Sequence, residues 1–173
     1  MAARGFTLIE LLVAVALLAI LATLAAPGLG EYLRNCRRAA TVNALSHSIH
    51  TARALASVRG RAVILCPSAD AANCTGGRDW SGGLLIRPDE PDAAAARTSP
   101  LRRIQLAAAA GRQSVRSNRD SIRFAALSPA ATTATLIVCD DRGASAARAI
   151  IVSRTGRPRV SERDASGRKL QCP

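Results

Sequence analysis

From Leu8 to Ala26 the chain is almost wholly apolar, with Glu10 its only charge and Thr23 a mild exception. About 20 such residues cross the hydrocarbon core of a bilayer as a helix, so this run predicts a membrane segment. Pro27, Gly28 and Gly30 then interrupt the pattern. Proline lacks a backbone donor and crowds the preceding turn, so a loosened or kinked helix is expected there. Helical periodicity resumes near Glu31. Tyr32, Leu33, Cys36, Val42, Leu45, Ile49, Ala52 and Leu55 recur on an apolar stripe, while Arg34, Arg37, Arg38, Asn43, His47 and Arg53 fall on the other faces. Gly60 supplies a stop signal. The stripe needs a partner.

After Gly60 the period changes. RAVILC (61–66), GLLIR (83–87), LRRIQLA (101–107), SIRFAA (121–126), TATLIVC (133–139) and RAIIVSR (148–154) are short runs of mostly apolar residues, separated by Gly, Pro, Ser and Asp. They predict an antiparallel sheet of roughly five to seven strands on which the helical stripe packs. RPDEPDAAAARTSP (87–100) is expected to be a polar loop, and the stretch after RTGRPR a polar tail. No internal repeat is evident.

Aromatic residues make up only 2% of the 173 positions, so the core must be built from Ala, Val, Ile and Leu. The length suits one modest domain plus an anchor. The formal net charge is +12, and 23 of the 24 basic residues are arginine, Lys169 being the one lysine. Such a surface attracts polyanions, either nucleic acid or anionic headgroups.

Cysteines stand at positions 36, 66, 74, 139 and 172. None of the spacings is CxxC, and only His47 and His50 could join a metal site, so neither a metal nor another cofactor is expected. Cys66 and Cys74, and Cys139 and Cys172, fall at predicted strand ends and loops, where crosslinks are useful. With a membrane segment ahead of them, an oxidising compartment and two disulfides are expected, although four cysteines allow three pairings. Cys36, alone on the helix, is expected to be a small buried side chain, and Trp80 a core anchor of its loop. No nucleophile–base set appears, and the adjacent Asp140 and Asp141 suit a turn, so no catalytic residue and no enzyme activity is expected. Orientation is contested. Arg34, Arg37, Arg38, Arg53 and Arg59 follow the span while Arg4 precedes it, which by charge alone leaves the C-terminal side in the cytoplasm; the cysteines argue the reverse.

RGFTLIE (4–10) resembles the processing signature of type IV pilins and pseudopilins. The resemblance implies that a prepilin peptidase cuts after Gly5, that the new N-terminal Phe6 is methylated, and that Glu10 meets the N-terminal amine of a neighbouring subunit during filament assembly. A carboxylate in lipid is costly unless partnered, which suits that role. The resemblance also puts the leader (1–5) in the cytoplasm, retains 6–27 as a transmembrane and assembly helix, and makes 28–60 its amphipathic continuation. Residues 61–173 become a periplasmic sheet domain anchored in the inner membrane, extracellular when assembled in a pilus. Pilin subunits and the peptidase are the implied protein partners.

LIVCDDRGASAARAIIVSRTGRPRV (136–160) is similar to the FimT/GspH family of minor pilins and pseudopilins, in which Cys-Asp-x-Arg-Gly opens a hairpin and a later strand enters a Gly-Arg turn. Cys66, Pro67, Ser68, Cys74, Trp80 and Gly83 resemble the FimT branch in particular. The resemblance implies an α+β, pilin-like fold with a long N-terminal helix on an antiparallel sheet, stapled by Cys66–Cys74 and Cys139–Cys172. That branch is linked to DNA uptake in natural transformation through a Gly-Arg-x-Arg turn, matched here by Gly156, Arg157, Pro158 and Arg159.

The chemistry agrees: glycine permits a tight turn and close backbone approach, and the two guanidinium groups can fork onto phosphate oxygens. Arg154, Arg163, Arg168 and Lys169 lie close in sequence and widen the patch, with Arg148 one strand-length earlier. Without an interleaved aromatic residue there is no stacking platform, so sequence-independent contact to double-stranded DNA phosphates is expected. The alternatives are a minor pseudopilin of a type II secretion system, or a minor pilin that primes assembly without touching DNA.

Overall fold

The structure, a computed structural model, describes residues 7–89, 100–106, 108, 112–126 and 130–172, with the side chains of residues 24–27 left out. Gly5, Phe6 and the leader therefore lie outside the described residues, as does most of the loop expected at 87–100. Helix α1 spans Leu8–Arg59. Its start is a capping box: the Glu10 carboxylate accepts from the Thr7 N–H and hydroxyl, both at 3.1 Å, while the Thr7 hydroxyl accepts from the Glu10 N–H at 3.3 Å. Glu10 is thus partly satisfied within its own chain, at the positive end of a helix.

Leu8–Thr23 and Gly28–Arg59 meet at a bend of 46°, where Pro27 removes a donor. Among the described residues no single straight helix is long and apolar enough to cross a membrane, but this bent pair meets the requirement by length and composition. Leu8, Leu12, Leu18 and Leu21 are all exposed. A helix apolar all round has to meet lipid or other helices.

Residues 1–36 and 37–173 form separate compact units. In the second, the described residues form eight strands after the helix: β1 (Val63–Pro67), β2 (Leu84–Pro88), β3 (Arg102–Ile104), β4 (Gln113–Ser117), β5 (Ile122–Phe124), β6 (Ala134–Asp140), β7 (Arg148–Val152) and β8 (Pro158–Ser161). They form two antiparallel sheets, β3-β2-β1-β5 and β4-β6-β7-β8, where one sheet was expected. The stripe of α1 is buried from Thr41 onward: Val42, Leu45, Ile49, Ala52 and Ala56 join Leu65, Ile86, Leu136 and Ile150 in one core. Trp80 and Phe124 are its aromatic members, and the Trp80 indole donates to the Arg119 carbonyl at 3.1 Å.

Tyr32, Leu33 and Cys36 continue the stripe in sequence but are exposed. They precede the packed part of the helix, so the expectation of a buried Cys36 is wrong. The thiol is free.

Candidate nucleic-acid interface

Strands β6 and β7 are mostly apolar on both faces, and the second sheet accordingly has two covered sides. Leu136, Val138, Ile150 and Val152 face the helix-side core. Ile137, Cys139, Ala149 and Ile151 face the other way, where Leu170 and Cys172 of the tail cover them. Cys139 is joined to Cys172, and Cys66 to Cys74. The C-terminal segment is therefore a fixed part of the domain, not a trailing polar tail.

The β7–β8 connection carries the Gly-Arg-Pro-Arg stretch. Gly156 has φ +71 and its N–H donates to the Ser153 carbonyl at 2.9 Å. The Ser153 N–H donates to the Arg157 carbonyl at 3.0 Å, and the Arg157 N–H to the Ser153 hydroxyl at 3.1 Å. Gly156 is buried, and a β-carbon there would lie 3.2 Å from the Phe124 ring and 3.3 Å from Ala131. The close approach that glycine permits is thus made to the protein's own core as well as through the turn.

Arg154, Arg157 and Arg159 are exposed, and none of the ion pairs among the described residues involves them. Arg157 closes the turn, and Arg159 stands two positions on, within β8. Arg159 pairs with Ile151, and Ile151 with Thr135, which puts Arg159 on the face away from the helix. Arg163 is also exposed, but its guanidinium donates to the Gly167 carbonyl at 3.0 Å and part of its capacity serves the tail turn.

The Cys-Asp-Asp-Arg-Gly stretch has a different task. The Arg142 guanidinium forks onto the Asp140 carboxylate, at 3.1 Å and 2.6 Å, and the Asp140 side chain is only 3% exposed. The side-chain hydrogen bonds from Arg142 hold the Asp140 carboxyl below its ordinary value against the opposing effect of burial. Beside this pair Arg38 donates to the Ala146 carbonyl, tying the β6–β7 connection to the helix. Burial first, then the charges of Arg148 and Arg142, lower the Arg38 pKa. This cluster fixes the connection and offers no free acid–base pair. His47 and His50 are exposed on the helix, and no group of three His, Cys, Asp or Glu among the described residues could hold a metal.

Two strands, β4 and β8, escaped the sequence pattern. β4 (QSVRS) has a single apolar residue, so no alternation announces it. It pairs with β6 and sets Arg116 opposite Ile137, on the same face as Arg159.

The family model described as type II transport protein GspH matches residues 41–156, and the prokaryotic N-terminal methylation motif matches residues 1–26. The fold is similar to crystal structures of the type IV minor pilin FimU from Pseudomonas aeruginosa (strain PAO1). In one crystal form the likeness covers 74% of this chain and 90% of that one, with a TM-score of 0.56 and 22% identity. In another the values are 71%, 90%, 0.53 and 20%. No curated protein sequence matches the chain.

Proposed function

The chain belongs to the GspH family, and from that premise we propose that it is a minor type IV pilin that binds extracellular double-stranded DNA for uptake. Family and N-terminal motif make it a minor pilin or pseudopilin. The DNA reading rests chiefly on one observation: Arg157 and Arg159 stand two positions apart at the end of a turn held by three hydrogen bonds, exposed and without an acidic partner among the described residues. A preorganised turn lowers the ordering cost of binding, and two guanidinium groups supply charge-assisted contacts to phosphate. After cleavage behind Gly5 and methylation of Phe6, the apolar helix would anchor the subunit in the inner membrane and Glu10 would register it against neighbouring pilins. The sheet domain would lie in the periplasm and, after assembly, outside the cell.

The test is a mobility shift of a DNA duplex by full-length protein in non-ionic detergent, compared with R157Q/R159Q at low and at physiological salt. Binding should be sharply weakened in the variant while its melting temperature is unchanged. Equal binding by both proteins would remove the turn from the reading, and the absence of binding by either would favour the secretion or priming role.

A further inference from the structure

On the face of the second sheet away from the helix, β4, β6 and the C-terminal segment enclose a groove of about 440 Å³. Arg116, Arg168 and Lys169 line it, against one carboxylate, Asp164. That carboxylate is committed: it accepts from the backbone N–H of Ser166 at 2.8 Å and of Arg168 at 2.9 Å, and from the Arg168 guanidinium at 2.9 Å. The remaining polar lining is rich in donors. Asn118 accepts the Thr135 N–H on its Oδ1 at 2.9 Å, so its NH₂ is what it offers a ligand. Thr135 and Ser166 add hydroxyls.

The walls are also set in advance. The tail turn is closed by Asp164 and by Arg163 donating to Gly167, Leu170 is buried on the sheet, and Cys172 is bonded to Cys139. An ordered, donor-lined groove with an excess of cations is built for an anion with several acceptor oxygens. A phosphate group is that anion.

We propose that this groove is a second phosphate site, separate from the Arg157/Arg159 turn but on the sheet face that Arg159 occupies. Thr135 lines it, and Thr135, Ile151 and Arg159 are successive cross-strand neighbours. The groove therefore begins two strand spacings, about 10 Å, from Arg159. A duplex lying on this face would present phosphates to both. The duplex part of the inference rests on the DNA reading above; the phosphate part does not.

The variant to use is R116Q/K169Q, which spares the Arg168–Asp164 pair that closes the turn. Both altered side chains are exposed, and an unchanged melting temperature with both disulfides intact verifies the fold; K169Q alone serves if the double change unsettles it. Full-length protein in non-ionic detergent is titrated with a deoxynucleoside monophosphate, following backbone amide resonances, and with a covalently closed DNA duplex at several salt concentrations. In the parent protein the nucleotide should shift the Asn118 and Ser166 amides. The variant should lose those shifts, and its log–log salt dependence of duplex binding should be shallower by about 1.8, two phosphate contacts at about 0.9 each.

Nucleotide shifts with an unchanged slope would support a phosphate site filled by small molecules. A shallower slope without nucleotide shifts would support one filled by the duplex alone. The absence of both effects would overturn the proposal. Loss of duplex binding in R116Q/K169Q beside an inert R157Q/R159Q would support the groove and sink the turn.

Discussion

Gly156 shows how one residue carries two constraints. Its φ of +71 lies where a β-carbon strains the backbone, and its missing side chain makes room for the Phe124 ring. Gly143 has a similar φ of +76 but nothing within 4 Å of its ideal β-carbon. G143A should therefore cost the conformational penalty alone, about 1 kcal/mol. G156A should lose more, about 2 kcal/mol, because the ring or the turn must also give way. Chemical unfolding of the two variants measures the difference directly. Equal losses would mean that Phe124 moves aside freely. The sequence told of this glycine only through its place in a turn, since Phe124 lies 32 positions earlier and no local pattern links them.

The β6–β7 connection owes its form to the Asp140–Arg142 fork, and its behaviour with pH follows from that. The folded pKa of Asp140 lies below the ordinary 3.8. Its contribution to stability is therefore complete above that value and is lost as pH falls through the depressed one. D140N removes the charge onto which the Arg142 guanidinium, 19% exposed, forks and should cost about 2 kcal/mol at neutral pH. The gap between parent and variant should close only below pH 3.8, as denaturation across that range would show; a constant gap would mean that the carboxylate's charge is irrelevant. The disulfides differ in a related, local way. Cys139–Cys172 closes 33 residues and Cys66–Cys74 closes 8, so by loop-closure entropy removing the first should cost about 4 kcal/mol and the second about 2.5. β6 and β7 were legible because both faces are buried and their cores are apolar. β4 and β8, with sequences QSVRS and PRVS, were not, because edge strands tolerate polar side chains on both faces. The division into two sheets was equally hidden: strand runs fix which residues are extended, not which neighbours they choose.

At the scale of the whole molecule the question is whether a charge of +12 acts as a diffuse field or through placed contacts. A diffuse field depends on total charge, so removing any two arginines should weaken DNA binding alike. Placed contacts depend on position. Arg102 and Arg103 on β3, at the edge of the other sheet, are exposed and give the comparison. R102Q/R103Q and R157Q/R159Q carry the same reduced charge. If the turn is the contact, only the second should flatten the salt dependence of duplex binding, by about 1.8, while the first weakens binding slightly and keeps the slope. Equal flattening by both would reduce the basic surface to a general polyanion trap. The long helix does not enter this comparison. All four arginines lie outside it, in the compact unit that begins at Arg37.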